Sequence, residues 1–180
     1  VKIETYTSFD WITILFRFNI AQALRLMEYY LLNNYENRTV EKICIMPGTD
    51  FDIYTISPEI SNKSKSKFLV IFCNQNAISS ESYCIFKDNI RIYLDIPEST
   101  IILWNYTGYG LRKGITTFKK IDKDIKYLYN HIIGKYSDYK IVIHGTSIGG
   151  YSSIQLCKKL TGMVKDVLLI ADRTYGDIQY

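Results

Sequence analysis

No run of this sequence is both long and apolar enough to cross a bilayer, no two cysteines stand in C-x-x-C spacing, and only two histidines occur in 180 residues. Each scarcity removes something. The most hydrophobic stretch, "FDWITILFRFNIAQALRLMEYYLL" (9–32), is interrupted by Arg17, Asn19, Gln22, Arg25 and Glu28, and charges are costly at mid-bilayer. It is expected to form one or two amphipathic helices packed on the domain, with a membrane-surface helix inserting Trp11, Phe16 and Phe18 as the other placement. The four cysteines, at 44, 73, 84 and 157, read as buried free thiols of a reducing, cytoplasmic compartment. A net charge of +4, with basic and acidic residues alternating, gives no footprint for nucleic acid. Lys63, Lys65 and Lys67 read as a solvated loop, and the sequons at Asn37, Asn62 and Asn105 as accidents of an Asn-rich chain. Three prolines and no low-complexity segment leave no interdomain linker, and the length suits one domain. A composition of 47% hydrophobic and 22% charged residues excludes disorder and coiled coil.

From Glu41 onward, short β-branched runs alternate with segments of helical period. "EKICIM" and "FDIYTI" flank Pro47-Gly48-Thr49-Asp50 and predict a hairpin. "KFLVIFC" (67–73) is a near-continuous apolar run, as a strand covered on both faces requires. A helix is predicted over "SESYCIFKDNI" and a strand over "TIILWNY" (100–106). Phe118, Ile121, Ile125, Leu128 and Ile132 then form the stripe of a helix docking on a sheet. "YKIVIH" predicts a strand, "GYSSIQLCKKL" a helix and "VKDVLLIA" (164–171) a further strand. Such alternation implies an α/β fold with right-handed crossovers and a ligand crevice at the carboxyl ends of the strands.

One strand end carries chemistry. In "HGTSIGG", Ser147 follows a predicted strand and precedes a predicted helix, the strand, turn and helix order of a nucleophile elbow. Gly145 and Gly149 let strand and helix close around the serine, and the helix start directs its N–H groups toward it. G-x-S-x-G also occurs in ordinary turns, so the order of elements carries the reading rather than the spacing. A second loop, Asn74 to Ala77, follows "KFLVIFC" where the other oxyanion amide is supplied in this arrangement. A third, "WNYTGYGLRKG" (104–114), has Gly108, Gly110 and Gly114 to keep it close to the crevice.

On "FCNQNA", "WNYTGYGLRKG", "HGTSIGG" and "LLIADRT", the chain resembles α/β-hydrolase-domain proteins, most nearly the branch that includes phosphatidylserine lipases and serine hydrolases of the Bem46 type. The resemblance covers 41–180 as the first part of the domain, with 1–40 as an N-terminal amphipathic helical segment. It implies an α/β-hydrolase fold: a mostly parallel sheet with an antiparallel hairpin at its start, the C-terminal strands missing from these residues. It implies Ser147 as nucleophile, with the amides of Ile148 and Asn76 as the oxyanion hole. Gln75 stands where the family usually has glycine. The implied substrate is a small-molecule acyl ester or thioester, a glycerophospholipid among them, with no cofactor or metal, no nucleic-acid partner, and peripheral membrane contact through 9–32.

Neither histidine suits the general base. His144 precedes the elbow and emerges beneath the turn as a core or sheet-end residue, and His131 lies beside the apolar stripe of the long helix. The resemblance places acid and base in later loops, beyond residue 180, so these residues alone are expected to be inactive. Asp172 is a candidate acid, with a crevice-capping loop residue as its other role. A non-catalytic binding or scaffold protein of the same fold is the alternative, and a serine peptidase a weaker one.

Overall fold

The computed structural model describes residues 20–33, 35, 37–59 and 68–174. Helix α1 (Ile20–Asn33) is followed by strands β1 (Arg38–Cys44) and β2 (Asp52–Pro58), then β3 (Phe68–Cys73), a 3-10 turn (Ser80–Cys84), helix α2 (Asp88–Leu94) and β4 (Ser99–Trp104). Helix α3 (Phe118–Tyr136), β5 (Lys140–Thr146), α4 (Gly149–Leu160) and β6 (Val167–Asp172) complete the order. The six strands form one sheet in the order β1-β2-β4-β3-β5-β6. β1 and β2 pair antiparallel, as do β2 and β4, and the other pairs are parallel.

Alternation along each strand explains the layering, because successive side chains point to opposite faces. Leu69, Ile71 and Cys73 join Ile121, Ile125, Leu128 and Ile132 of α3 and Leu156 and Leu160 of α4 on one face. Val70 and Phe72 join Met27 and Leu31 of α1 and Ile90 and Tyr93 of α2 on the other. The apolar stripe predicted for the long helix is the buried face of α3, and Thr117 caps that helix by accepting from the Lys120 N–H at 3.3 Å.

Two expectations need correction. The segment read as one helix from Ser80 is a 3-10 turn, a break and a separate α2, because tertiary bonds occupy its first turn: Asn105 takes the Ser80 N–H, and the Glu81 carboxylate is drawn inward to Asn105. Cys44 is exposed rather than buried, since it lies on the edge strand β1, whereas Cys73 is buried and its thiol is pushed up to about 11 by desolvation. The side chain of Cys84, the lysine loop and residues 1–19 lie outside the described residues. Of the 9–32 segment, α1 packs on the domain through Ala23, Met27 and Leu31. Among the described residues no helix is long and apolar enough to cross a membrane.

Candidate active site

Strand β5 lies between β3 and β6, so the turn that leaves it opens at the centre of the parallel strands. At that turn Ser147 has φ 54°, the left-handed region that a side chain normally avoids. Its N–H donates to the Asp172 carbonyl at 3.0 Å, and its own carbonyl accepts the Gly150 N–H at 3.0 Å. A Cβ at Gly145 would run into the Ser153 hydroxyl, and one at Gly149 into the Cys73 carbonyl. Those two glycines therefore let β5, α4 and the end of β3 converge on the serine. Ser147 is half-buried, and its hydroxyl takes no hydrogen bond among the described residues. The Ile148 N–H, at the start of α4, also has no acceptor among them. A helix start leaves such amides free and carries the positive end of the helix dipole.

The loop after β3 runs against the same turn. Asn74 is buried and donates through Nδ2 to the Trp104 carbonyl at 2.9 Å. Asn76 is exposed, its Oδ1 accepts the Tyr109 hydroxyl at 2.6 Å, and its N–H has no acceptor among the described residues. Ala77 follows with φ 61°.

The sheet with its flanking helices has counterparts among solved structures. A cold-adapted esterase from an Arctic intertidal metagenomic library matches with TM-score 0.57 at 13% identity, over 76% of this chain and 62% of that one. A lipase-like protein from Acinetobacter baumannii AYE matches with TM-score 0.53 at 13% identity, over 90% of this chain and 48% of that one. A prolyl endopeptidase matches with TM-score 0.54 at 15% identity, over 74% of this chain and 21% of that one. The chain has the α/β-hydrolase fold. It spans less than two thirds of each of these relatives, and no family model and no curated protein matches its sequence.

Within this α/β-hydrolase fold, no hydrogen bond joins the imidazole of either histidine to the serine hydroxyl. His144 Nδ1 is 2.7 Å from the Tyr93 hydroxyl, its ring packs edge-on to Phe72 and Tyr93, and its Nε2 is buried without a partner among the described residues. Burial lowers its pKa, opposed by the nearby Asp172 carboxylate. His131 lies half-buried on α3, also lowered by burial. Asp172 ends β6 beside the Ser147 turn, and its carboxylate accepts from Arg173 Nε and Nη2 at 3.0 and 2.9 Å, which holds its pKa below the usual range. An open cavity of about 310 Å³ is lined by Phe72, Gln75, Asn89, His144, Thr146 and Asp172 among others.

Sequence reasoning missed the polar core beneath the glycine-rich loop of this α/β-hydrolase fold. Glu81 is buried and accepts from Tyr54 at 3.0 Å and Asn105 at 2.9 Å. Arg112 donates to both oxygens of Asp124, at 2.6 and 2.7 Å, and to the Asn105 carbonyl at 2.9 Å, with its guanidinium 4.0 Å from the Phe51 ring centroid. Asn105, one of the sequon asparagines, is buried in this cluster. A signal existed: Asp124 falls on the buried stripe of α3, where a charge needs a partner.

Proposed function

We propose that Ser147 is the nucleophile of a serine hydrolase that cleaves an ester or thioester. The observation that carries this reading is a serine held at φ 54°, between the end of a central parallel strand and a helix start, with its hydroxyl free. In the reaction, Oγ attacks the acyl carbonyl carbon while its proton passes to a general base. The carbonyl oxygen becomes an oxyanion that accepts from the Ile148 and Asn76 N–H groups, and collapse of the intermediate expels the alcohol or thiol. Water then attacks the acyl-serine and releases the acid. This reading takes the base from outside residues 1–180, which the missing hydrogen bond between either imidazole and the serine supports, and keeps Asp172 as a candidate acid that Arg173 would first have to release.

The names of the fold's relatives, an esterase and a lipase among them, support ester chemistry. The motif set supports the branch of the phosphatidylserine lipases and Bem46-type hydrolases, with a lipid ester as substrate and a cytoplasmic site of action at or near a membrane. The lack of a hydrogen bond from either imidazole to the serine favours a second reading, a non-catalytic binding or scaffold protein of this fold. Fluorophosphonate labelling of the protein at its natural full length separates them. The hydrolase reading expects Ser147 to be labelled and Ser147→Ala to lose the label while remaining folded. Label at another serine, or none, sinks it.

A further inference from the structure

We propose that the loop after β4 clamps the loop after β3, and that Tyr109 is the positioning residue that holds the Asn76 N–H where an oxyanion develops; this rests on Ser147 being the nucleophile. The loop from Asn74 to Ala77 needs such a device. Asn76 is exposed among the described residues, while the next residue sits at φ 61°, a conformation the chain leaves readily unless its surroundings enforce it.

The enforcement comes from one side. Trp104 accepts from Asn74 Nδ2 at 2.9 Å, the Tyr106 hydroxyl donates to the Asn74 carbonyl at 3.0 Å, and the Tyr109 hydroxyl donates to Asn76 Oδ1 at 2.6 Å. Tyr106 is fully buried and its hydroxyl also lies 2.9 Å from Ser152 Oγ on α4, so one ring touches both the β3 loop and the helix that begins at the elbow. Tyr109 packs edge-on against Tyr106, with centroids 5.2 Å apart. Its backbone is fixed in turn: its N–H donates to the Tyr106 carbonyl at 2.9 Å, its carbonyl accepts the Arg112 N–H at 3.0 Å, and Arg112 is anchored on Asp124. The hydroxyl that reaches Asn76 thus extends from a stiff, buried support.

Holding the Asn76 side chain restricts rotation about its own backbone and so fixes the direction of its N–H. Oxyanion donors act only when they lie about 2.7–3.1 Å from the developing charge. The Tyr109–Asn76 bond is exposed, so it adds little to the stability of the fold.

The test compares wild type with Tyr109→Phe in the full-length protein. Phenylalanine keeps the ring packing on Tyr106 and removes the hydroxyl alone. A net hydrogen bond in contact with water is modest, so the fluorophosphonate labelling rate of Ser147, and kcat with p-nitrophenyl acetate, are expected to fall about three- to tenfold. KM and the thermal midpoint are expected to hold, and hydrogen exchange at residues 75–77 to quicken. A variant that labels and exchanges like wild type overturns the clamp alone. A rise in KM with kcat unchanged makes Tyr109 a substrate contact and overturns the positioning role. Wild type that fails to label brings down the nucleophile and, with it, anything Tyr109 would position.

Discussion

Asp124 sits between Ile121 and Ile125 on the buried face of α3 and is 2% exposed, a place where a lone carboxylate is strongly disfavoured. Arg112 makes it tolerable by donating to both of its oxygens. The pair also fixes the path of the glycine-rich loop, because the same guanidinium bonds the Asn105 carbonyl. Asp124→Ala leaves the buried Arg112 with only the longer 3.8 Å contact to the half-exposed Asp50 as an ion pair and is expected to destabilise the fold by about 2–4 kcal/mol. Urea unfolding measures this. A loss below about 1 kcal/mol, within the range of exposed ion pairs, would show that Asp50 takes over the guanidinium and that Asp124 does not anchor the loop. From the sequence the two residues were visible singly. Their pairing was not, because it depends on where the loop after β4 folds back.

At the scale of elements, α1 shows how an amphipathic pattern selects its partner. Ala23, Met27 and Leu31 follow the helical repeat and are buried against the face that holds Tyr54, Tyr83 and Tyr93, while Ile20 and Tyr29 face out. Glu28 reaches across to Lys42 of β1 at 2.7 Å and accepts from Tyr54 at 2.6 Å. If α1 belongs to the core in this way, Leu31→Ala is expected to cost about 2–5 kcal/mol, the range for a truncated buried leucine. Thermal or urea unfolding reads it, and an unchanged midpoint would mean that the helix docks loosely and is available to another surface. The helices and strands were largely legible, since periods of 3.6 and 2 are imposed by backbone geometry. The exception, the broken helix after Ser80, was decided by Asn105, which is 25 residues away in the chain.

At the scale of the whole molecule, the two histidines make stability depend on pH in one direction. Burial lowers the pKa of both His131 and His144 from 6.5, so the folded state prefers them neutral. Their contribution is fully present above about pH 6.5 and is lost as pH falls toward and through their lowered values, because the unfolded chain binds protons first. The Asp172 carboxylate, lowered from 3.8 by Arg173, adds a loss only in more acidic solution. The urea midpoint is therefore expected to fall between about pH 7 and pH 5, and His131→Gln with His144→Gln to flatten that fall. A midpoint that rises on acidification over this range would contradict the burial of both rings.

What the sequence alone determined is local. The apolar run at 67–73, the stripe of α3 and the glycines flanking Ser147 each follow from how a few neighbouring residues constrain a strand, a helix or a tight turn, so the strand-turn-helix order at Ser147 and the α/β alternation were readable without coordinates. Tertiary structure decided which elements meet. It put β4 between β2 and β3, tied His144 to Tyr93 across 51 residues and Asn76 to Tyr109 across 33, and buried Glu81 with Asn105. A hydrophobic period tells which face of an element is covered but not which neighbour covers it. A polar side chain shows its bonding capacity in the sequence, and the partner that satisfies it is fixed only when strand order and loop paths bring distant residues together.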